Sequence, residues 1–249
     1  MKTTIVIILV LITTMASVLG IRHVVSTIPT ITEVTVMRDI TDTLVVGPKI
    51  GELRSLYNLE SSPWRGASFR FVDITNVTYN QTIEKVIPPE NKWLGNEFDR
   101  KKKIKQFYFE ISQILSSTLP EKNGKENSSI FAPVAKELNR LSRSSAKERV
   151  LVVYSDLLEN TKEFSFYDRK NLDQLRVDEN AIRDYFINLT PLNDLEGISI
   201  HLLYQPKNNQ ADERYKLVSR FYQHLFESKG ATVWISANIT GNGLTGKED

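Results

Sequence analysis

The sequence predicts an α/β domain built on a doubly wound, mostly parallel sheet with helices on both faces. Three observations carry this. β-branched apolar runs alternate with segments of helical period along most of the chain. Such alternation implies parallel strands joined by helical crossovers. Arg149–Ser155 (RVLVVYS) is an unbroken apolar run, as expected of a central strand covered on both faces. The 249 residues, 41% of them hydrophobic and 25% charged, suit one large core plus a short extra segment.

Taken in order, Glu33–Ile40 (EVTVMRDI) reads as a first strand ending in an acidic cluster. Gly47-Pro48 interrupts, and Lys49–Leu59 forms a short helix with Pro48 at its first position. Ser68–Thr75 (SFRFVDIT) alternates apolar and polar residues, the period of a half-buried strand. Thr82–Ile87 is a weaker strand that pairs with it as a hairpin and closes at Pro88-Pro89. Phe98–Leu119 and Ile130–Leu141 have helical period. Lys101–Lys103 reads as a solvated helix start. Leu157–Asp178 is polar and aromatic without clear period, and Glu179–Leu189 is helical. Ile198–Tyr204 is a strand, Asp212–Ser228 a helix capped by a left-handed Gly230, and Ala231–Ser236 a last strand. Trp64, Trp93 and Trp234 read as core or rim packing, with Trp93 the one candidate for an exposed anchor.

The N-terminus has a different character. Lys2 precedes Thr3–Ile21, which carries no charge, and Ile5–Ile12 (IVIILVLI) is continuously apolar. This matches a secretory signal, and its length also reaches the lower limit for a spanning helix. Residues 1–22 are therefore read as a signal peptide or membrane anchor helix, 23–32 as a linker, 33–240 as the α/β domain and 241–249 as a disordered tail. Either reading places the domain outside the cytoplasm, secreted or held at a membrane facing the periplasm or extracellular side.

Composition removes several chemistries. With no cysteine there is no disulfide, thiolate nucleophile or Cys-ligated zinc. His23, His201 and His224 have no His partner at metal-ligand spacing. A net charge of +2 supplies no field to draw nucleic acid, and none is expected as a partner. There is no G-x-S-x-G elbow, no phosphate-binding glycine loop and no H-E-x-x-H.

Two acidic motifs fall where ligands bind in such sheets, at the carboxyl ends of strands. Asp39-Ile40-Thr41-Asp42-Thr43 follows the first strand; Ser155-Asp156 follows the central one. Carboxylate and hydroxyl oxygens are hard ligands suited to Mg²⁺, Mn²⁺ or Ca²⁺. A turn or helix-cap cluster is the plainer reading of the first motif alone.

Together these motifs resemble the metal-ion-dependent adhesion site of von Willebrand A (vWA) domains, whose fold is Rossmann-like. D-x-T-x-T stands for the usual D-x-S-x-S, Ser128 (with Ser129 second) for the loop hydroxyl ahead of a helix, and Ser155-Asp156 for the last element, with Glu159-Asn160 following it. Asp42, the displaced Gly124 and the long segment after Asp156 depart from the pattern. The resemblance implies a Mg²⁺ (or Mn²⁺/Ca²⁺) site at Asp39, Thr41, Thr43, Ser128 and Asp156, and a protein partner bound through an acidic residue. Phe164, Phe166 and Tyr167 follow Asp156; they either border the metal face as the partner-contacting side chains or fold back on the sheet. Two alternatives stand beside it. One is a metal-free structural or interaction module. The other resembles haloacid-dehalogenase-like phosphatases, with Asp39 as nucleophile and Ser155 as the second-motif hydroxyl, but with Thr41 where those enzymes carry an acidic residue.

Overall fold

The computed structural model describes residues 30–41, 47–74, 82–117 and 128–239. The signal or anchor segment 1–22, Asp42, Thr43, the turn at 76–81 and the tail at 241–249 lie outside them. No helix among the described residues is long and apolar enough to cross a membrane.

Six strands form one sheet: β1 (Ile31–Asp39), β2 (Gly66–Ile74), β3 (Thr82–Ile87), β4 (Glu148–Tyr154), β5 (Ile198–Leu203) and β6 (Thr232–Ser236). Their order is β3-β2-β1-β4-β5-β6. All neighbours are parallel except β2 and β3, which pair antiparallel from Ala67↔Ile87 to Val72↔Thr82, the pairing expected of a hairpin. β1 begins at Ile31, so the expected linker is two residues too long. Ile31 pairs with Gly66, and Thr32 with both Ala67 and Glu148, so backbone pairing claims them.

The helices are α1 (Ile50–Tyr57), α2 (Glu97–Ser116), α3 (Phe131–Ser142), α4 (Arg169–Val177), α5 (Glu179–Leu189) and α6 (Asn209–Glu227). They divide by face. One core joins Leu53, Tyr57, Phe107 and Ile111 of α1 and α2 to Val34, Phe69, Val152 and Tyr154 of the sheet. The other joins Val134, Leu138, Phe186, Phe221 and Tyr222 of α3, α5 and α6 to Met37, Leu151, Val153 and Ile200. Successive strand residues point to opposite faces, so β4, with Val150–Tyr154 all buried, feeds both cores alternately. Its apolar run had no polar face because neither face meets water.

Three local expectations change. α1 starts after Lys49, placing Pro48 ahead of the helix rather than in its first turn. α4 lies inside the segment that showed no period. It buries only Leu172 and Leu175, too few for an apolar stripe, and starts on Asp168, whose side chain accepts from the Lys170 N–H. α2 starts at Glu97 on an Asn96 cap, so Lys101–Lys103 fall in its second turn. Gly230 takes φ +91°, as its capping role requires, and its N–H donates to Glu227 O at 2.9 Å. His201 is buried and stacks on Trp234 at 4.8 Å, while His224 meets Glu179.

Candidate functional site

The strand order reverses between β1 and β4, since β1 leads away to β2 and β4 to β5. Loops leaving those two strands diverge to opposite faces and open a crevice at their carboxyl ends. Asp39 is the last residue of β1, and Ser155 and Asp156 directly follow β4.

Asp39 is 2% exposed. Its Oδ1 accepts from the Thr41 N–H at 2.8 Å and the Thr41 hydroxyl at 2.6 Å. Its Oδ2 accepts from the Ser155 hydroxyl at 2.8 Å, which ties β1 to β4 across the switch point. Thr41 Oγ1 also lies 2.9 Å from Ser128 Oγ. A hydroxyl carries one proton; Thr41 gives its proton to the carboxylate, so Ser128 donates to Thr41. Three hard oxygens, from Asp39, Thr41 and Ser128, thus form one continuous chain.

Ser128 reaches that place by backbone pairing. Its N–H donates to Asn160 O at 2.8 Å, and the Asn160 N–H donates back to Ser128 O at 2.7 Å. Asn160 bridges in turn to Ser165, so the loop after β4 carries a miniature ladder that fixes the serine. The chain enters this ladder through Leu157 at φ +61°, a conformation a Leu rarely adopts. That turn is held by Leu157 N–H to Ser155 Oγ at 2.9 Å and Leu158 N–H to Asp156 Oδ1 at 3.0 Å. Asp156 is buried, and its Oδ2 accepts from the Tyr167 hydroxyl at 3.2 Å.

Two residues do unexpected work. α3 begins at Ile130-Phe131 without a side-chain cap of its own. Its first N–H groups need an acceptor, and Glu159 Oε2 takes those of Ile130 and Phe131 at 2.8 and 2.9 Å. Glu159 is 1% exposed and its Oε1 has no hydrogen-bond partner among the described residues. A helix starting on apolar residues, three positions beyond a serine, is the signal in the sequence that such a distant acceptor must exist. Tyr167 is the second: half exposed, it bonds Asp156 and lies under the Arg214 guanidinium at 5.1 Å.

Phe164 and Phe166 fold back into the core. They are 7% and 0% exposed, and their rings pack on Phe186 at 5.1 and 5.9 Å. Burying two aromatic rings is worth far more than leaving them in water, so the loop folds them into the core.

Burial raises the pKa of Glu159; the Phe131 and Ile130 N–H groups and the Ser129 hydroxyl oppose this, and the Asp39 charge adds to it. Burial, then the charges of Glu159 and Asp156, push the Tyr222 phenol up. Burial leads both shifts, and the neighbouring carboxylates add the smaller part. No group of three or more His, Cys, Asp or Glu that could hold a metal occurs among the described residues, so a cation here would need the hydroxyls as well. The donor chemistry fits Mg²⁺, Mn²⁺ or Ca²⁺. Among the described side chains, the hydroxyls of Thr41 and Ser155 bond the Asp39 carboxylate.

Glu159 gives a testable pH signature. Its pKa is raised in the folded state, so the native protein holds a proton that the unfolded chain has released above about pH 4.3. Stability therefore falls as pH rises from there through the raised value. Glu159→Gln keeps an acceptor for the two N–H groups and has no proton to lose. In urea unfolding with EDTA between about pH 4 and 8, the variant is expected to gain on the wild type as pH rises, then hold its lead. A difference independent of pH would show that Glu159 does not titrate this way.

No protein-family model matches the chain, and no curated protein matches it. Two solved structures are similar in part. One is the conserved hypothetical protein BatB from Bacteroides thetaiotaomicron, at 9% identity and TM-score 0.39, covering 85% of this chain and 92% of that one. The other is an aerotolerance-related membrane protein from Bacteroides fragilis NCTC 9343 with multiple mutations to serines, at 12% identity and TM-score 0.39, covering 86% and 94%. Similarity at this level carries over no residue role, ligand or partner.

Proposed function

We propose that the chain is a vWA-like binding module, secreted or held at a membrane on its outer side, that engages a protein partner through a divalent cation. The observation that carries this reading is the hydrogen-bonded chain Asp39–Thr41–Ser128 at the β1/β4 switch point, with Ser155 bracing Asp39. Asp39, Thr41, Thr43, Ser128 and Asp156 would hold Mg²⁺, or Mn²⁺ or Ca²⁺, directly or through water. The cation would supply an electrophilic open position for an Asp or Glu carboxylate of the partner. Thr41 and Ser128 would turn lone pairs outward, while Ser155 and the Thr41 N–H hold Asp39 in place.

Titration calorimetry of the full chain in detergent with Mg²⁺ and Mn²⁺ is the test. Wild type is expected to give binding heat and a rise in unfolding free energy of about 2–3 kcal/mol at a hundredfold excess over Kd. Asp39→Asn and Ser128→Ala are expected to lose both. Ser128→Ala removes one hydroxyl and keeps the backbone bridge, so it separates ligation from folding. No heat from the wild type, or equal heat from both variants, sinks the metal site. That outcome would favour the metal-free module, for which one observation already speaks: the Asp39 carboxylate accepts three bonds from Thr41 and Ser155.

A further inference from the structure

At the opposite end of the sheet from this site lies an exposed apolar and basic patch. Trp93, Leu94 and Phe98 are 86%, 89% and 77% exposed. They occupy the turn before α2 and its first turn. Phe98, Lys102, Lys105 and Phe109 then share one face of α2, being four, three and four residues apart. From 92 to 105 the exposed charges are Lys92, Lys101, Lys102, Lys103 and Lys105 against Glu97 and Asp99. Lys101 pairs with Glu97 and Lys103 with Glu90; Lys102 and Lys105 make no ion pair among the described residues. Aromatic side chains at a tip, flanked by unpaired lysines, have the composition of a membrane interface.

The position of the patch favours that occupant. The described chain begins at Thr30, whose carbonyl accepts from the Gly66 N–H at 3.0 Å and whose hydroxyl accepts from Arg65 Nε at 3.1 Å. Trp64, one residue before Arg65, accepts from the Glu90 N–H at 3.0 Å and packs so closely on Gly95 that a Cβ there would lie 2.3 Å from its ring. Buried Arg100 binds the carbonyls of Pro63, Arg65 and Pro88. The point where the chain enters the domain and the turn bearing Trp93 are therefore parts of one rigid corner. Residues 22–29 separate Thr30 from the uncharged stretch Thr3–Ile21. Eight residues span at most roughly 25–30 Å, which keeps this corner within reach of any bilayer holding that stretch.

We infer that Trp93, Leu94 and Phe98 dock the domain on the bilayer that holds its N-terminal segment, with Lys102 and Lys105 against anionic headgroups. Docking in this sense turns the β1/β4 crevice, at the far ends of the strands, away from the membrane and towards a partner. The inference rests on the reading of the N-terminal segment as membrane-embedded, and it does not depend on the metal.

The test reconstitutes the full chain in phosphatidylcholine–phosphatidylglycerol vesicles, with and without brominated acyl chains. Flotation reports the N-terminal segment; quenching of tryptophan emission reports docking. The chain has only Trp64, Trp93 and Trp234, none of them in the N-terminal segment. Wild type is expected to be quenched, and Trp93→Phe to lose that component. Lys102→Glu with Lys105→Glu is expected to lower the docked-to-undocked ratio by roughly tenfold or more, as is high salt. Flotation without Trp93-dependent quenching overturns the docking alone and leaves the patch to a protein partner. Failure to float overturns both the membrane segment and the docking.

Discussion

Arg100→Ala is expected to lower the unfolding free energy by about 3–5 kcal/mol, the usual cost of breaking a buried charge network from one side. Arg100 is fully buried. Its Nε donates to Pro63 O at 2.5 Å, one terminal nitrogen to Pro88 O at 2.8 Å and Glu90 Oε1 at 3.3 Å, and the other to Arg65 O. Truncation strands three backbone carbonyls that the buried guanidinium had satisfied, and each orphaned group costs about 1–3 kcal/mol where water does not replace the donor. Glu90 still has Lys103 at 2.8 Å, so its loss is the smaller part. Arg100→Lys tests the geometry. One ammonium keeps the charge but cannot reach along three directions fixed by a planar fork, so it is expected to recover less than half of the loss. Urea unfolding of the full chain in detergent measures this, and a melting point lower by roughly 10 °C should accompany it. A change for Arg100→Ala within about 0.5 kcal/mol would mean the corner is held by something else. A loose corner would also let Trp93 move relative to Thr30, so bromolipid quenching should fall in Arg100→Ala even where the protein remains folded.

Arg100 shows where the sequence stops being readable. It stands directly before Lys101–Lys103, and a run of four cations reads as a solvated helix face. Three of the four are exposed. Arg100 is not, because its acceptors come from carbonyls 12 to 37 residues earlier, and no local pattern records where distant carbonyls gather. The sheet was legible for the converse reason. β4 is apolar without a break because both its faces are covered, and the period-2 pattern of Ser68–Thr75 follows from the alternation of the pleat. α4 was not, since two buried leucines in nine residues leave no stripe.

The site divides in the same way. Asp39, Ser155 and Asp156 were readable as residues ending β-rich runs, and the strand order brings those ends together. The placement of Ser128 against Thr41 depends on the ladder Ser128–Asn160–Ser165, which is backbone pairing between loops and leaves no mark on side-chain composition. Glu159 left an indirect mark, in the uncapped apolar start of α3. The direction of the two phenylalanines left none. An aromatic residue beside a ligand site is equally common as a contact and as a floor.

Phe166→Ala separates those roles. Its ring is 0% exposed and meets Phe164 at 4.9 Å, Phe186 at 5.9 Å, Phe221 at 6.2 Å and Tyr222 at 6.5 Å. Removing it leaves a cavity among rings held by α5 and α6, which cannot collapse without moving both helices. The expected loss is about 3–5 kcal/mol in urea unfolding, at the level of other buried Phe truncations. Tyr167→Phe, one residue on, removes only a hydroxyl from a half-exposed ring, and its bond to Asp156 is long at 3.2 Å. It is expected to cost less than about 1 kcal/mol. The pair also distinguishes consequences at the site. The Phe166 N–H donates to Glu159 O at 2.9 Å, so the buried ring anchors the loop that aligns Asn160 with Ser128. Phe166→Ala should therefore weaken Mg²⁺ binding together with stability, whereas Tyr167→Phe should alter it with stability almost unchanged. If Phe166→Ala unfolds at the wild-type urea concentration, the ring is not part of the core, and its place returns to the surface facing a partner.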